Sequence, residues 1–126
     1  MKGIISVLIQ RLRSIGNAVR GLGNLLENEP NVRIHIIAAV SAIILGIITG
    51  ITTVEWLIIV VVAGMVFVSE IFNSAVERLA DIVDPHQNEK IRIIKDYAAA
   101  AVLVSAIIAL TAGLIIFIPG IINLFR

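Results

Sequence analysis

Residues 54–81 read VEWLIIVVVAGMVFVSEIFNSAVERLAD. The stretch is almost continuously apolar as far as Val68 and then delivers Glu70, Asn73 and Glu77. Those positions are spaced i, i+3 and i+7, so on a helix they share one face. Counted from Val54, a hydrocarbon core of about 20 residues ends near Ser74. Glu70 then falls about one turn inside the membrane and Glu77 about one turn beyond it, at roughly 1.5 Å rise per residue. An ionisable side chain at that depth is costly to hold and points to function by default.

The rest of the chain agrees with a membrane reading. Of its 126 residues, 59% are hydrophobic, and the mean hydropathy is +1.04. Soluble domains sit near 45–50% apolar, and a chain this short cannot bury the excess in one core. The expected class is an all-α integral membrane protein. A net charge of +1 gives no global field for nucleic acid. With no cysteine, disulfides, thiolate nucleophiles and Cys-ligated metal sites are excluded. The N-terminal stretch carries charges throughout, unlike a cleavable signal peptide.

Residues 3–26 repeat Ile4, Leu8, Leu12, Ile15, Val19, Leu22 and Leu26 at spacings of three and four, with Lys2, Arg13 and Arg20 opposite. That pattern predicts an amphipathic surface helix at the bilayer interface; a helix packed on other helices is the alternative. Arg11 falls near the apolar stripe, and Gly21 and Gly23 should loosen the far end. A break at Asn28-Glu29-Pro30-Asn31 follows. Three spans are expected, at about 32–51, 54–83 and 97–118, within a single domain of residues 1–126. The first contains Gly46-Ile-Ile-Thr-Gly50, a small-xxx-small pattern that lets helices approach closely. Asp84–Asn88 is a polar loop, and Pro119-Gly120 should close the third span. Lys and Arg gather before the first span and between the second and third. The N-terminus should therefore be cytoplasmic and the C-terminus outside.

Several polar groups enter the cytoplasmic layer beside Glu70. Glu29 and Glu77 are hard oxygen ligands of the kind Mg²⁺ takes together with waters and substrate phosphates. Lys95 is a point charge for phosphate, and Asn73 can orient either partner. Glu70 suits a general base for a lipid hydroxyl. Jointly these parts fit metal-assisted phosphoryl transfer. Each also has a plainer reading: Glu77, Arg78 and Asp81 as a solvated helix end, Lys95 and Asp96 as interfacial anchors, Asn73 as helix glue. His35 is a packing residue or a substrate contact, and His86 is a solvated loop residue or a nucleotide contact. Trp56 fits an outer aromatic belt, and Ala98–Ala101 a close-packing surface. No Walker or dinucleotide-binding glycine motif is present.

Glu70-Ile71-Phe72-Asn73-Ser74-Ala75-Val76-Glu77, followed by Lys95-Asp96 and Ala99-Ala100-Ala101-Val102-Leu103, resembles the prokaryotic diacylglycerol kinase family, which includes the undecaprenol kinases. Arg20-Gly21 and Asn28-Glu29 match as well, so the resemblance covers roughly residues 10–119. It implies a homotrimer with a surface helix and three membrane helices per chain, and active sites between neighbouring chains. It also implies that Glu70 accepts the proton, that Glu29 and Glu77 hold divalent ions with ATP, and that Asn73, Lys95 and Asp96 contact the nucleotide. His86, Gln87 and Asn88 in the loop join that set. Asn17 does too, at a position where relatives often carry an aromatic or His that touches the nucleotide; Gln10 stands where some carry a basic residue. Arg33-Ile34-His35 and Leu114–Pro119 look like the undecaprenol kinase branch, whereas the diacylglycerol branch tends to be acidic at position 35.

The expected activity is transfer of the γ-phosphoryl group of MgATP to a membrane lipid alcohol in the bacterial inner membrane. Undecaprenol is favoured, with diacylglycerol as the alternative. A small oligomeric ion channel or transporter is the rival from another class, with Glu70 as its titrating site. An accessory subunit that only packs is a second.

Overall fold

The computed structural model describes residues 2–86 and 88–125. The described residues form four helices: α1 (Lys2–Asn28), α2 (Pro30–Thr49), α3 (Thr53–Val83) and α4 (Glu89–Leu124). They divide into two compact units, residues 1–30 and 31–126.

The first unit is α1. It runs through Gly21 and Gly23 without interruption, so neither glycine loosens it. Its backbone ladder reaches past the last helical residue, with Glu29 N donating to Leu25 O at 2.9 Å. Ile4, Leu8, Leu12, Ile15 and Val19 are exposed along it.

The second unit holds α2, α3 and α4, each long and apolar enough to cross a membrane. Pro30 opens α2 at the first helical position, where its missing N–H costs nothing. The link to α3 is short. Gly50 adopts φ +65°, the left-handed cap that favours glycine, and donates to Gly46 O at 3.1 Å. Thr52 then caps α3 in a reciprocal pair with Glu55. Thr52 N donates to Glu55 Oε2 at 2.7 Å, and Glu55 N to Thr52 Oγ1 at 3.4 Å.

The small-xxx-small pattern therefore works otherwise than expected. Gly50 makes the turn. Gly46 seats the Trp56 ring, since a Cβ at position 46 would lie 2.7 Å from Trp56 Cη2. Trp56 is accordingly half-buried against α2.

α3 and α4 pack as an antiparallel pair, with Asp81 opposite Lys95 at one end and Ser69 opposite Ser105 further along. Ser105 Oγ donates to Ala101 O at 2.9 Å, so the 2.8 Å Ser69–Ser105 bond uses the Ser69 proton. With 31 and 36 residues, the two helices reach about 46 and 54 Å, well past a core of about 30 Å. α4 departs from expectation at both ends. It begins at Glu89, not Tyr97, because Asn88 Oδ1 accepts from Lys90 N and Ile91 N at 3.0 and 3.2 Å. It also passes through Pro119, which does not close it. Gly120 lies tight on α2 there: a Cβ would come within 2.7 Å of Thr49 Cβ.

The buried core is small: Ile59, Ile116 and Phe117, with Ala42, Leu45, Ile51 and Ile121 against them. Val60, Leu103, Leu110 and Ile115 are exposed, while Glu70, Asn73, Ser74 and Ser105 are buried. That inverts the sorting of a soluble protein and is what a lipid surround favours.

Candidate functional site

One turn of α3 concentrates the buried polarity. Glu70 is 2% exposed, Asn73 6% and Ser74 2%. Glu70 Oε2, Asn73 Oδ1 and Ser74 Oγ are buried with no hydrogen-bond partner among the described residues. Leaving a buried polar atom unsatisfied costs about 1–3 kcal/mol. Three such atoms on one turn are therefore a standing expense that packing alone does not explain. The next turn continues the stripe, with Asn73 Nδ2 donating to Glu77 Oε1 at 3.0 Å. Glu77 is half-buried, between the buried turn and the exposed helix end.

α2 contributes His35. Its Nε2 lies 4.0 Å from Glu70 Oε2, beyond direct hydrogen bonding. The imidazole meets the Phe67 ring edge-on, with centroids 6.4 Å apart. His35 also stands in the wall of an apolar groove of about 490 Å³ between α2, α3 and α4. Ala38, Ala42, Ala63, Ala106 and Gly113 keep that groove open, and Ser41 is its other polar lining residue.

Lys95 pairs across the helix hairpin with Asp81, Nζ to Oδ1 at 2.9 Å. The partly exposed pair holds the ammonium at the α3–α4 junction, one turn of α3 beyond Glu77. Asp96 points elsewhere: it pairs with Arg92 at 3.3 Å on an exposed face, and Arg92 also meets Glu89. In the connecting loop, His86 N and Asn88 N donate to the two carboxylate oxygens of Asp84, each at 3.0 Å. The His86 side chain is exposed, and the Asn88 side chain serves as the α4 cap. Gln87 lies outside the described residues. Asn17 is exposed on α1, and Glu29 follows α1 half-buried; both belong to the first unit.

Within the second unit, Glu70, Asn73 and Glu77 share one stripe as the spacing predicts. Lys95 is brought to the same end of the hairpin. Asp81, read from sequence as solvated helix end, extends the stripe at the same three-four spacing and anchors Lys95. Ser74, four residues from Glu70, went unweighed. His35 could be placed beside Glu70 only once α2 was set against α3.

Among the described residues no three His, Cys, Asp or Glu side chains gather as a ready metal centre. Mg²⁺ does not need one, because one or two carboxylates suffice beside water and substrate phosphates. The half-buried Glu77 carboxylate and the unpartnered Asn73 Oδ1 are hard oxygen donors of that kind, so the residues present fit the ion.

The sequence profile of the prokaryotic diacylglycerol kinases matches residues 16–117. Undecaprenol kinase of Bacillus subtilis (strain 168) is 34% identical over 107 residues, 85% of this chain and 87% of that protein. A diacylglycerol kinase of Synechocystis sp. is 28% identical over 114 residues, 90% of this chain and 65% of that longer protein. No solved structure matches.

Proposed function

The chain belongs to the prokaryotic diacylglycerol kinase family and is a membrane lipid kinase; from that premise we propose that it transfers the γ-phosphoryl group of ATP to undecaprenol, with diacylglycerol as the alternative acceptor. The observation that carries the site assignment is the buried turn of α3, where Glu70 Oε2 stands unpartnered about two turns before the half-buried Glu77.

Glu70 accepts the proton of the lipid hydroxyl while the hydroxyl oxygen bonds to the γ-phosphorus. The bond from that phosphorus to the β–γ bridging oxygen breaks, and ADP departs. A lipid hydroxyl cannot leave the interface, so the base has to be sunk to meet it. The nucleotide arrives from the water side, and the groups proposed to meet it lie further along the stripe. Glu77 and Glu29 would hold Mg²⁺, which would neutralise phosphate charge when bound, and Asn73 would contact the nucleotide. Lys95, braced by Asp81, presents its ammonium to the phosphates. Asp96, His86, Gln87, Asn88 and Asn17 complete the nucleotide contacts. Burial of Glu70 excludes water and so limits wasteful hydrolysis.

The proposed setting is the bacterial inner membrane, with the N-terminus cytoplasmic, the C-terminus outside and α1 lying in the interface. The assembly is a homotrimer with sites between neighbouring chains. The exposed apolar stripe of α1 and the exposed aliphatic faces of α2, α3 and α4 support that setting.

The test is phosphoryl transfer from labelled ATP with Mg²⁺ in detergent, to undecaprenol and diacylglycerol in parallel. Label on undecaprenol well above diacylglycerol is the expected result, and the reverse would make it a diacylglycerol kinase. A folded oligomer that labels neither would refute the assignment for these acceptors.

A further inference from the structure

His35 is the one imidazole on the membrane helices, and it stands beside the acid assigned to proton transfer. Its Nε2 and Glu70 Oε2 are 4.0 Å apart. That gap is too wide for them to bond each other, and a third atom bonded to both would bridge it. An oxygen at hydrogen-bond distance from both, roughly 2.7–2.9 Å, would subtend about a right angle. A hydroxyl oxygen tolerates that angle, since it donates once and accepts twice. Glu70 Oε2 has no other hydrogen-bond partner among the described residues. The imidazole also meets the Phe67 ring edge-on, a contact that favours this orientation of Nε2.

What lies next to the pair defines the ligand. The groove walled by His35 continues along Ala42, Leu45, Val62, Leu110 and Phe117, apolar throughout that course. Its volume, about 490 Å³, is within the usual range for small-molecule sites. His35 is shared by the groove wall and the pair, so a molecule with its hydrocarbon body in the groove would present a hydroxyl end at His35.

We propose that His35 is a second catalytic residue: its Nε2–H donates to the oxygen of the lipid hydroxyl while that hydroxyl donates to Glu70 Oε2. This rests on the lipid kinase reading and adds to it the group that orients the acceptor. During transfer the hydroxyl proton passes to Glu70. His35 keeps its own proton and remains bonded to the oxygen that becomes the bridging oxygen of the phosphate ester. A site built to bond a hydroxyl also rejects molecules that lack one, because His35 and Glu70 would both be left unpaired.

The experiment compares His35→Ala and His35→Gln with the wild type in full kinetic matrices of lipid alcohol and MgATP. Glutamine places an N–H donor near the position of Nε2. We expect His35→Ala to lose about 10–100-fold in kcat/KM for the lipid, with the KM for ATP unchanged. His35→Gln should recover most of that loss. An alanine variant within twofold of wild type overturns the proposal. So does a glutamine variant as impaired as alanine when both form the wild-type oligomer. Should His35→Ala fail to fold, Phe67→Leu decides: released from its ring contact, His35 should orient the hydroxyl less well, lowering lipid kcat/KM several-fold at constant ATP KM. No change there overturns the proposal. A wild-type protein that phosphorylates no lipid alcohol refutes the kinase reading itself, so the two failures are distinguishable.

Discussion

Glu70→Gln removes the proposed proton acceptor and almost nothing else. The side chain keeps its size, so the packing of a residue only 2% exposed is preserved. The structural penalty is bounded by one new amide donor placed where Glu70 Oε2 has no partner, about 1–3 kcal/mol. That is less than a typical total stability of about 5–15 kcal/mol, so the variant should fold and assemble. The chemical penalty is larger. General base catalysis contributes about 10²–10⁴-fold, so kcat should fall by at least about 100-fold. The KM for ATP should stay within about twofold, because Glu70 is proposed to bond the lipid hydroxyl and not the nucleotide. Glu70→Asp refines the test: the carboxylate survives but retracts by about 1.5 Å, one carbon–carbon bond, and should give an intermediate loss. The assay is initial-rate phosphoryl transfer to a lipid alcohol at saturating MgATP, with oligomer size checked for each variant. A Glu70→Gln protein turning over within tenfold of wild type would refute the base assignment and the depth reasoning behind it.

Asp81→Asn should free Lys95 from its 2.9 Å partner and raise the KM for ATP several-fold. The stability change should stay under about 1 kcal/mol because the pair is partly exposed; steady-state kinetics beside thermal unfolding separates the two effects. Gly46→Ala sets a methyl 2.7 Å from Trp56 Cη2, forcing the ring off α2 and destabilising by about 1–3 kcal/mol, which tryptophan fluorescence and a lowered unfolding midpoint would report. Ser105→Ala deletes the acceptor of the Ser69 hydroxyl between α3 and α4 and should cost about 0.6–1.7 kcal/mol in detergent unfolding, with catalysis unchanged.

The chemistry-bearing stripe on α3 was legible because helical periodicity is local: Glu70, Asn73 and Glu77 share a face whatever the rest of the chain does. Asp81 obeys the same period, but its partner Lys95 lies across a hairpin, so the sequence reads it only as solvated helix end. The ends of α4 were harder. Asn88-Glu89 is a recognisable start, but the apolar count draws attention to Tyr97, where the hydrophobic run begins. Pro119 signals a stop, yet α4 continues to Leu124 with Gly120 packed against Thr49. Gly46-x-x-x-Gly50 shows a limit of motif reading, since small residues announce a close approach without saying what approaches. Here one receives an indole and the other turns the chain. His35 was the least legible, because nothing on its own helix points to Glu70.

The inverted sorting of side chains has a consequence for anyone who assays this molecule. A chain with aliphatic residues outward is never purified alone; it travels with a belt of detergent or lipid, and its acceptor dissolves in that belt, not in the buffer. The acceptor concentration that governs turnover is therefore its mole fraction within that belt. Diluting the sample tenfold with matched micelles leaves that fraction unchanged, whereas adding empty micelles at constant protein lowers it. Rates quoted per litre will disagree between laboratories that agree on every residue, and rates quoted per mole of belt will not.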